Sequence, residues 1–432
     1  KLTPESPLYD ALPQLARLES VTRVALQPFD RQEVDELVQR VAATDVPAAT
    51  VDTINERSGG NAFYAIELTR LLEAEQCLEP ANAAVVLPAT VVDVIQRKLD
   101  RLSEDAVRMV RIAAVLGREF DVTVVGDAGD LDMTAVSRGV DEAVASGLII
   151  ESSRPGIYRF SHMIAVNSIT HSLGSIRRAH IHEHLADALE KKYEGDPTRL
   201  VEIAHHRIEA APAVGADRAI ASAGLAVTYA VQSNALGLAE ELSMSRHRLI
   251  MALPPSAKRD QLETESLTDL ARIWTWREGY HSERLDEASR RLWELTGLED
   301  GVVEFDGEVT SSDPALSAIQ ARFSYAIVSG DINTAEEVTR TSLRLDEAND
   351  DPMVSFAAQL NSLVVGVHKP DVANAVASAE RALDALDIVD PSRSGEVWLP
   401  LVQQSGRVTL HLFSAWAYWL DGCVDRARQE TS

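Results

Sequence analysis

The stretch that decides the fold runs from Gly147-Leu148-Ile149-Ile150, through Ser153-Arg154-Pro155-Gly156, to Ile157-Tyr158-Arg159-Phe160-Ser161-His162. Two short β-prone runs joined by a turn that contains Pro and Gly predict a β-hairpin. The residues before it, 134–146, carry Val136, Val140 and Val144 on one helical face. A helix followed by a hairpin is typical of the end of a winged-helix domain. This hairpin would bring His162 to the start of another helix, near Met163.

Composition limits the functions that the chain can have. Its 432 residues are 45% apolar and 25% charged, which predicts a globular protein of about three domains. The formal net charge of −26 argues against broad contact with nucleic acid or anionic membrane, because such contact needs clustered Lys and Arg. Cys77 and Cys423 are too few for a disulfide framework, and no apolar run approaches the length of a membrane span. We therefore expect a cytoplasmic protein with no membrane partner.

The residues before the hairpin predict short helices. Asp30 and Glu33 form a capping-box pattern at the start of one helix, and Gly59-Gly60-Asn61 ends the next. An apolar helical pattern follows Asn61. Residues 91–102 form a second amphipathic pattern, and Ser103 is placed to cap the helix that runs to Leu116. We predict a helical lid followed by a winged-helix domain with one β-hairpin.

The residues after Glu190 are nearly all helical in pattern and rich in alanine. Trp274, Tyr325 and Ala417 each precede a glycine by five residues, and Ala335 and Ala427 each follow one by five. Small residues at these positions let two antiparallel helices meet around a tight turn, which predicts degenerate tetratricopeptide-like pairs in an α-solenoid. The fold class is therefore mainly α. We assign residues 86–190 to the winged helix and 191–432 to the arm.

With these patterns in view, the chain resembles the C-terminal part of the ATPase region, plus the tetratricopeptide arm, of a STAND-class (AAA-like) signalling ATPase. The nearest type is the bacterial transcriptional regulators of the large LuxR family. The resemblance covers residues 20–190 and is only architectural beyond them. It rests on these stretches in this order: Leu26-Gln27-Pro28-Phe29-Asp30, Ser58-Gly59-Gly60-Asn61-Ala62-Phe63-Tyr64-Ala65-Ile66-Glu67-Leu68, Leu99-Asp100-Arg101-Leu102, Ala113-Ala114-Val115-Leu116-Gly117-Arg118-Glu119-Phe120, Tyr158-Arg159-Phe160-Ser161-His162 and Arg177-Arg178-Ala179-His180-Ile181-His182.

The resemblance implies a nucleotide switch, in which residues 1–85 would be the end of the nucleotide-binding domain and its helical lid. The family's Gly-Asn-Pro turn covers the adenine and would fall on Gly60, Asn61 and Ala62, with alanine in place of proline. The winged-helix histidine, which reaches the β-phosphate of ADP, would fall on His162. ATP or ADP with Mg²⁺ is the cofactor implied for the full-length parent. This chain contains no Gly-x-x-x-x-Gly-Lys-Ser/Thr pattern, so we expect no tight nucleotide binding and no catalysis from it alone.

Several alternatives stay open at the level of sequence. The same module could be fused to a class III adenylate or guanylate cyclase, or the chain could be a helical-repeat scaffold without nucleotide. Lys1 in place of an initiator Met, and Ser432 within a helical pattern, lead us to expect a fragment of a larger protein. Its partners would be a protein or small-molecule effector on the arm, with DNA contacted only through a domain outside this chain, and self-association is open.

Residues that suggest other sites have simpler explanations. His180, His182 and His184 lack a metal-binding pattern, so we expect solvated or capping roles and no metal site. Arg138 lies among acidic residues on the third helix of the winged helix, which favours a structural role over DNA contact. The six tryptophans are expected in helix-pair cores, although we expect Trp416, Tyr418 and Trp419 to be partly uncovered.

Overall fold

The computed structural model describes residues 27–74, 78, 91–299, 313–349, 351–388, 398–399 and 404–431. Two further segments lie outside these ranges: residues 21–26, whose Val-Thr-Arg-Val-Ala-Leu sequence is β-prone, and a linker bounded by Pro80 and Pro88. The described residues are mainly α-helical, as the sequence predicted. They form two compact units, Lys1–Leu173 and Gly174–Ser432.

Three helices form the lid in the first unit. They are α1 (Arg31–Val41), α2 (Ala48–Ser58) and α3 (Ala62–Ala74). The predicted capping box is present: the Asp30 carboxylate accepts hydrogen bonds from the backbone of Gln32 and Glu33, and the Glu33 carboxylate accepts one from Asp30 N, all at 2.8 Å. The three helices bury a shared core that holds Val34, Val38, Ile54, Leu68 and Leu72.

The winged helix follows in the same unit. Its elements are α4 (Val91–Asp100), α5 (Glu104–Leu116), β1 (Glu119–Asp121), α6 (Val122–Gly129), α7 (Met133–Ala145), β2 (Ile149–Glu151), β3 (Ile157–Phe160) and α8 (Met163–Ser172). The predicted hairpin is β2–β3, with Ile149 opposite Phe160. The hairpin turn leads to α8, which begins immediately after His162.

The sheet has one strand more than the single predicted hairpin. β1 pairs antiparallel with β3, with Phe120 opposite Tyr158, so the strand order is β1-β3-β2. Three residues are too few to show a period-2 pattern, so this strand could not be predicted from the sequence. Phe120 and Phe160 are both buried, and their ring centroids lie 5.6 Å apart. The added strand therefore attaches the hairpin to the helices before it.

The second unit is a row of antiparallel helices. They are α9 (Ser175–Lys192), α10 (Leu200–Val214), α11 (Asp217–Gln232), α12 (Leu236–Met251), α13 (Ala257–Glu278), α14 (Glu283–Leu295), α15 (Pro314–Ser329), α16 (Ile332–Ala348), α17 (Pro352–His368), α18 (Val372–Ile388), α19 (Gly406–Leu420) and α20 (Val424–Glu430). A 3₁₀ turn, Pro197–Arg199, and two short strands, β4 (Trp398–Leu399) and β5 (Gln404–Ser405), complete it.

The packing order identifies a solenoid of helix pairs. Each helix from α9 to α20 packs on its neighbour in sequence, and α13, α15, α17 and α19 also pack on one another, each against the next of the four. Stacking of every second helix is the arrangement of tetratricopeptide-like repeats. The described arm begins with α9, because α9 pairs with α10, whereas the sequence placed the start of the arm at residue 191.

The glycines of the repeat pattern serve two purposes. Gly279, Gly330 and Gly422 all have positive φ, from +78° to +83°, at the turn inside a helix pair, as the pattern predicted. Gly366 instead lies within α17, where an added Cβ would lie 3.0 Å from Cβ of Ala375 on α18. That glycine lets two helices approach closely. Within the described ranges, no helix combines the length and the apolar character needed to cross a bilayer.

Candidate nucleotide-contact site

The turn between α2 and α3 requires glycine. Gly60 has φ +75°, and its carbonyl accepts a 2.8 Å hydrogen bond from Phe29 N. A Cβ on Gly60 would lie only 2.3 Å from the carbonyl oxygen of Phe29. The chain before α1 therefore crosses directly over this turn, at a distance that a larger residue does not allow.

The next two residues start α3. The Asn61 side-chain oxygen accepts a 3.0 Å hydrogen bond from Tyr64 N, which caps the helix, and Ala62 is the first helical residue. That oxygen is thus occupied by the helix, while the side chain as a whole is exposed. Residues 60–62 thus form a loop-to-helix junction, and Ala62 carries no ring that could stack on a base.

His162 stands at the start of α8 and is half-buried. Its backbone is extended, and its side chain makes no capping hydrogen bond to the helix. The imidazole packs on the Phe63 ring, with centroids 3.7 Å apart and an interplanar angle of 41°. Among the described residues, no group hydrogen-bonds to the imidazole. The ring is therefore positioned by its stacking on Phe63.

The surroundings keep His162 neutral near pH 7. Burial lowers the pKa of the imidazole, and the positive charges of Arg70, Lys98 and Arg118 lower it further, while Glu67 opposes them. A neutral imidazole has one N–H donor and one acceptor nitrogen. It can therefore donate to an oxygen such as that of a phosphate without carrying a charge itself.

The fold brings the predicted site residues into one neighbourhood. Gly60, Asn61 and Ala62 lead directly into Phe63, and Phe63 contacts His162. Phe63 is the residue that joins the two motifs, whereas the sequence pattern indicated it only as an apolar position of α3. Its position close after the glycine turn is the feature of the sequence that could have indicated a role at this site.

An ion pair lies on the same face of α3. Glu67 has only 4% of its surface exposed, and its carboxylate pairs with the Lys98 ammonium of α4 and, at 3.4 Å, with Arg70. A buried carboxylate needs such partners because desolvation is costly. The pair therefore ties the lid helix α3 to the first winged-helix element, one turn beyond the Phe63–His162 contact.

The helix α7 of the winged helix has a structural role in this unit. The carboxylate of Glu142 accepts a 2.7 Å hydrogen bond from Ser103 N, at the start of α5. Gly139 allows α7 to pack closely on Met109 and Ala106 of α5. Arg138 immediately precedes Gly139, on a helix whose neighbouring residues pack against α5.

The histidines of the arm correct one expectation. His182 is buried, not solvated, and its Nδ1 lies 2.8 Å from Nδ1 of His206 on α10, which is also buried. Burial lowers the pKa of His182 to about 4 and that of His206 to about 3. His180, His184 and His205 are exposed. Within the described ranges, no group of three or more His, Cys, Asp or Glu is arranged to hold a metal ion.

The aromatic residues of the arm divide into core and surface. Trp274 is buried, and its indole N–H donates to Glu240 at 3.1 Å. On α19, Trp416 and Trp419 are 48% and 60% exposed, as expected, but Tyr418 is fully buried. The expectation for Tyr418 was wrong because it lies on the opposite face of α19 from Trp416.

Comparison with known proteins does not assign the chain to a family. No family model matches the chain, and no curated protein matches it. Among solved structures, it is similar to the crystal structure of a Signal Transduction ATPase with Numerous Domains (STAND) protein with a tetratricopeptide repeat sensor, from Pyrococcus horikoshii. The identity is 11% and the TM-score is 0.30, over 96% of this chain and 60% of that one. The chain thus spans 60% of the length of that structure.

Proposed function

We propose that this chain is the regulatory and sensor portion of a STAND-type nucleotide-dependent signalling protein. In this proposal His162 contacts the phosphate of a bound ADP, the turn at Gly60, Asn61 and Ala62 lies against the adenine, and the helical arm binds an effector. The observation that carries the proposal is the contact between His162 and Phe63, because it joins two motifs that the resemblance assigns to one ligand.

The geometry suits a switch. Phe63 belongs to the lid helix α3, and His162 belongs to the junction between the hairpin and α8. A nucleotide that touches both would be bound only while the lid and the winged helix are together. Nucleotide affinity and domain arrangement would then be linked, since a ligand favours the state that it binds more tightly.

The charge around His162 suits a phosphate. Arg70, Lys98 and Arg118 all act on the imidazole electrostatically, and the net effect of burial and these cations is to keep it neutral. An anion brought to this place would meet favourable charge and one N–H donor. Mg²⁺ and the phosphate loop would come from another part of the same protein, because no phosphate-loop pattern is present in this chain.

The arm would supply the signal. Stacked helix pairs present a long surface suited to a protein or small-molecule partner. The α19 face carries exposed Val408, Leu412, Trp416 and Trp419 at helical spacing, and a contiguous apolar face of this kind supports a protein partner. We propose regulation of transcription as the output, on the strength of the motif resemblance, with DNA bound by a separate domain.

The decisive experiment measures ADP affinity by calorimetry in the protein that carries this chain together with its phosphate-loop domain. His162→Ala should weaken ADP binding by roughly ten- to a hundredfold, because a hydrogen bond to a charged group contributes about 1.5–3 kcal/mol. His171→Ala is the matched control, since His171 lies on the same helix but bonds to the carbonyl of Asn167 at 2.7 Å. Equal affinity in both variants would contradict the phosphate role, and no ADP binding at all would favour the plain scaffold.

A further inference from the structure

A second feature of the first unit is a cavity lined by basic side chains. It has a volume of about 440 Å³ and is lined by Arg70, Arg97, Lys98 and Arg101, together with Ala145, Ser146 and Gly147. We call it the basic cavity. Its volume falls within the roughly 300–1,000 Å³ range of small-molecule sites.

The concentration of positive charge is unusual for this chain. The sequence has 41 Lys and Arg against 67 Asp and Glu, yet among the described residues the side chains lining this cavity include four cations and no carboxylate. Each of the four also interacts within the protein: Arg70 and Lys98 pair with Glu67, and Arg97 and Arg101 have contacts of their own. What the cavity offers to an anion is several basic groups gathered around one space.

The cations come from separate elements. Arg97 and Lys98 lie in the last turn of α4 and Arg101 follows it, where positive charge favourably meets the negative end of the helix dipole. The helix dipole does not account for Arg70, which reaches the same cavity from α3. The third side of the cavity is the turn after α7, where Gly147 has φ +70° and a Cβ would lie 3.8 Å from the Lys98 ammonium.

We propose that the basic cavity is a binding site for a small oligoanion that carries a diphosphate group. Guanidinium groups suit this ligand because each can donate two parallel hydrogen bonds to phosphate oxygens. A diphosphate would bridge α3, α4 and the α7–β2 turn. The strongly acidic remainder of the chain makes a nucleic-acid backbone a poor occupant.

The site is separate from the His162 contact and does not depend on the function proposed for it. Arg70 lies two helical turns, roughly 10 Å, along α3 from Phe63. The two sites share the helix and the Glu67–Lys98 ion pair between them. A ligand in the basic cavity would therefore strengthen the attachment of the lid to the winged helix at a second place.

The test uses the 432-residue chain and inorganic pyrophosphate, titrated by calorimetry at constant ionic strength maintained with sodium chloride. The test variant is Arg97→Gln combined with Arg101→Gln, since both side chains lie at the surface and neither pairs with the buried Glu67. The matched control is Arg40→Gln combined with Arg57→Gln, which removes the same charge from exposed positions on α1 and α2. Lys98 is left in place, because its loss would leave Glu67 buried with only one partner.

The expected result is that pyrophosphate binds to the wild type and to the control, and that the test variant binds roughly tenfold or more weakly. His162→Ala should leave pyrophosphate binding unchanged, which separates this site from the proposed nucleotide contact. A parallel titration with ADP distinguishes the source of the diphosphate: ADP binding that weakens equally in the test variant assigns it to a nucleotide, and pyrophosphate binding without ADP binding assigns it to a free oligoanion. Two results would overturn the proposal. One is a pyrophosphate titration that releases no more heat than a matched chloride titration, and the other is an equal loss of pyrophosphate affinity in the test and control variants.

Discussion

The imidazole of His162 stacks on the ring of Phe63, with 3.7 Å between the ring centroids. One ring comes from the lid and the other from the start of α8, so this contact joins the two motifs on which the nucleotide proposal depends. It also buries the imidazole, and burial is the largest cause of its lowered pKa.

Replacing Phe63 tests that relationship. Phe63→Ala should raise the pKa of His162 towards its ordinary value of about 6.5, because the imidazole regains contact with water. Titration of the histidine ring signals by NMR measures this directly. Phe29→Ala removes an exposed aromatic ring near the same turn and serves as the control. A His162 pKa that stays unchanged in Phe63→Ala would mean that other groups bury the ring.

Acidification should destabilise the arm through His182 and His206. Their folded-state pKa values of about 4 and about 3 lie below the unfolded value of about 6.5. Below about pH 6.5 the unfolded chain therefore binds more protons than the folded chain, and the free energy of unfolding falls as the pH falls. Besides burial, the cause that the two histidines share is the nearby His205, and Arg178 adds to the effect on His182.

Urea unfolding at about pH 7 and about pH 5 measures the effect. Replacing both buried histidines, His182→Leu with His206→Leu, should reduce the loss of stability between these conditions. His205→Ala, at an exposed neighbouring position, should keep most of it. An equally large loss in the double variant would assign the acid sensitivity to other groups.

Arg207 should be the most sensitive charged residue of the arm. Its side chain is 1% exposed and pairs with Glu183, Asp187 and Glu190, each at 2.7 Å. Arg207→Leu should lower the free energy of unfolding by about 1–3 kcal/mol, because the Glu183 carboxylate, which is only 13% exposed, loses a hydrogen-bond partner. Arg218 contacts the same three carboxylates but is 53% exposed. Arg218→Leu should therefore cost less than about 1 kcal/mol, and a reversed order would contradict this account.

Two glycines within helices should respond in opposite ways to substitution by alanine. In α17, Gly366→Ala would place a Cβ 3.0–3.1 Å from Ala375, and overpacking should lower the free energy of unfolding by about 1–3 kcal/mol. In α12, Gly237→Ala meets no atom within 4 Å, and should raise stability by up to about 1 kcal/mol, since alanine favours helix. Thermal unfolding of both variants tests the assignment of Gly366 to a close helix approach. Stabilisation of both would refute it.

Local sequence signals predicted a large part of the fold. The hairpin, the start of α8, the Asp30–Glu33 capping box and the turn glycines 279, 330 and 422 were all found where residue patterns indicated them. These features depend on residues a few positions apart. The three-residue strand β1 was missed because it carries no period, and its pairing with β3 is a long-range contact.

The contacts of the candidate sites depended on distant residues in the same way. The Phe63–His162 stack, the His182–His206 pair and the convergence of Arg70 with Arg101 each join separate elements. Helical periodicity places a side chain on a face but does not say which face of another helix it meets. The burial of His182 and of Tyr418 went unpredicted for this reason.

The stacking of α13, α15, α17 and α19 on one another limits how the length of such an arm can change during evolution. Duplication or loss of a whole helix pair keeps every odd-numbered helix against an odd-numbered neighbour and preserves the contacts between the stacked helices. Gain or loss of a single helix would reverse the direction of all helices that follow and would place the wrong faces together. Homologous arms are therefore expected to differ in length by even numbers of helices.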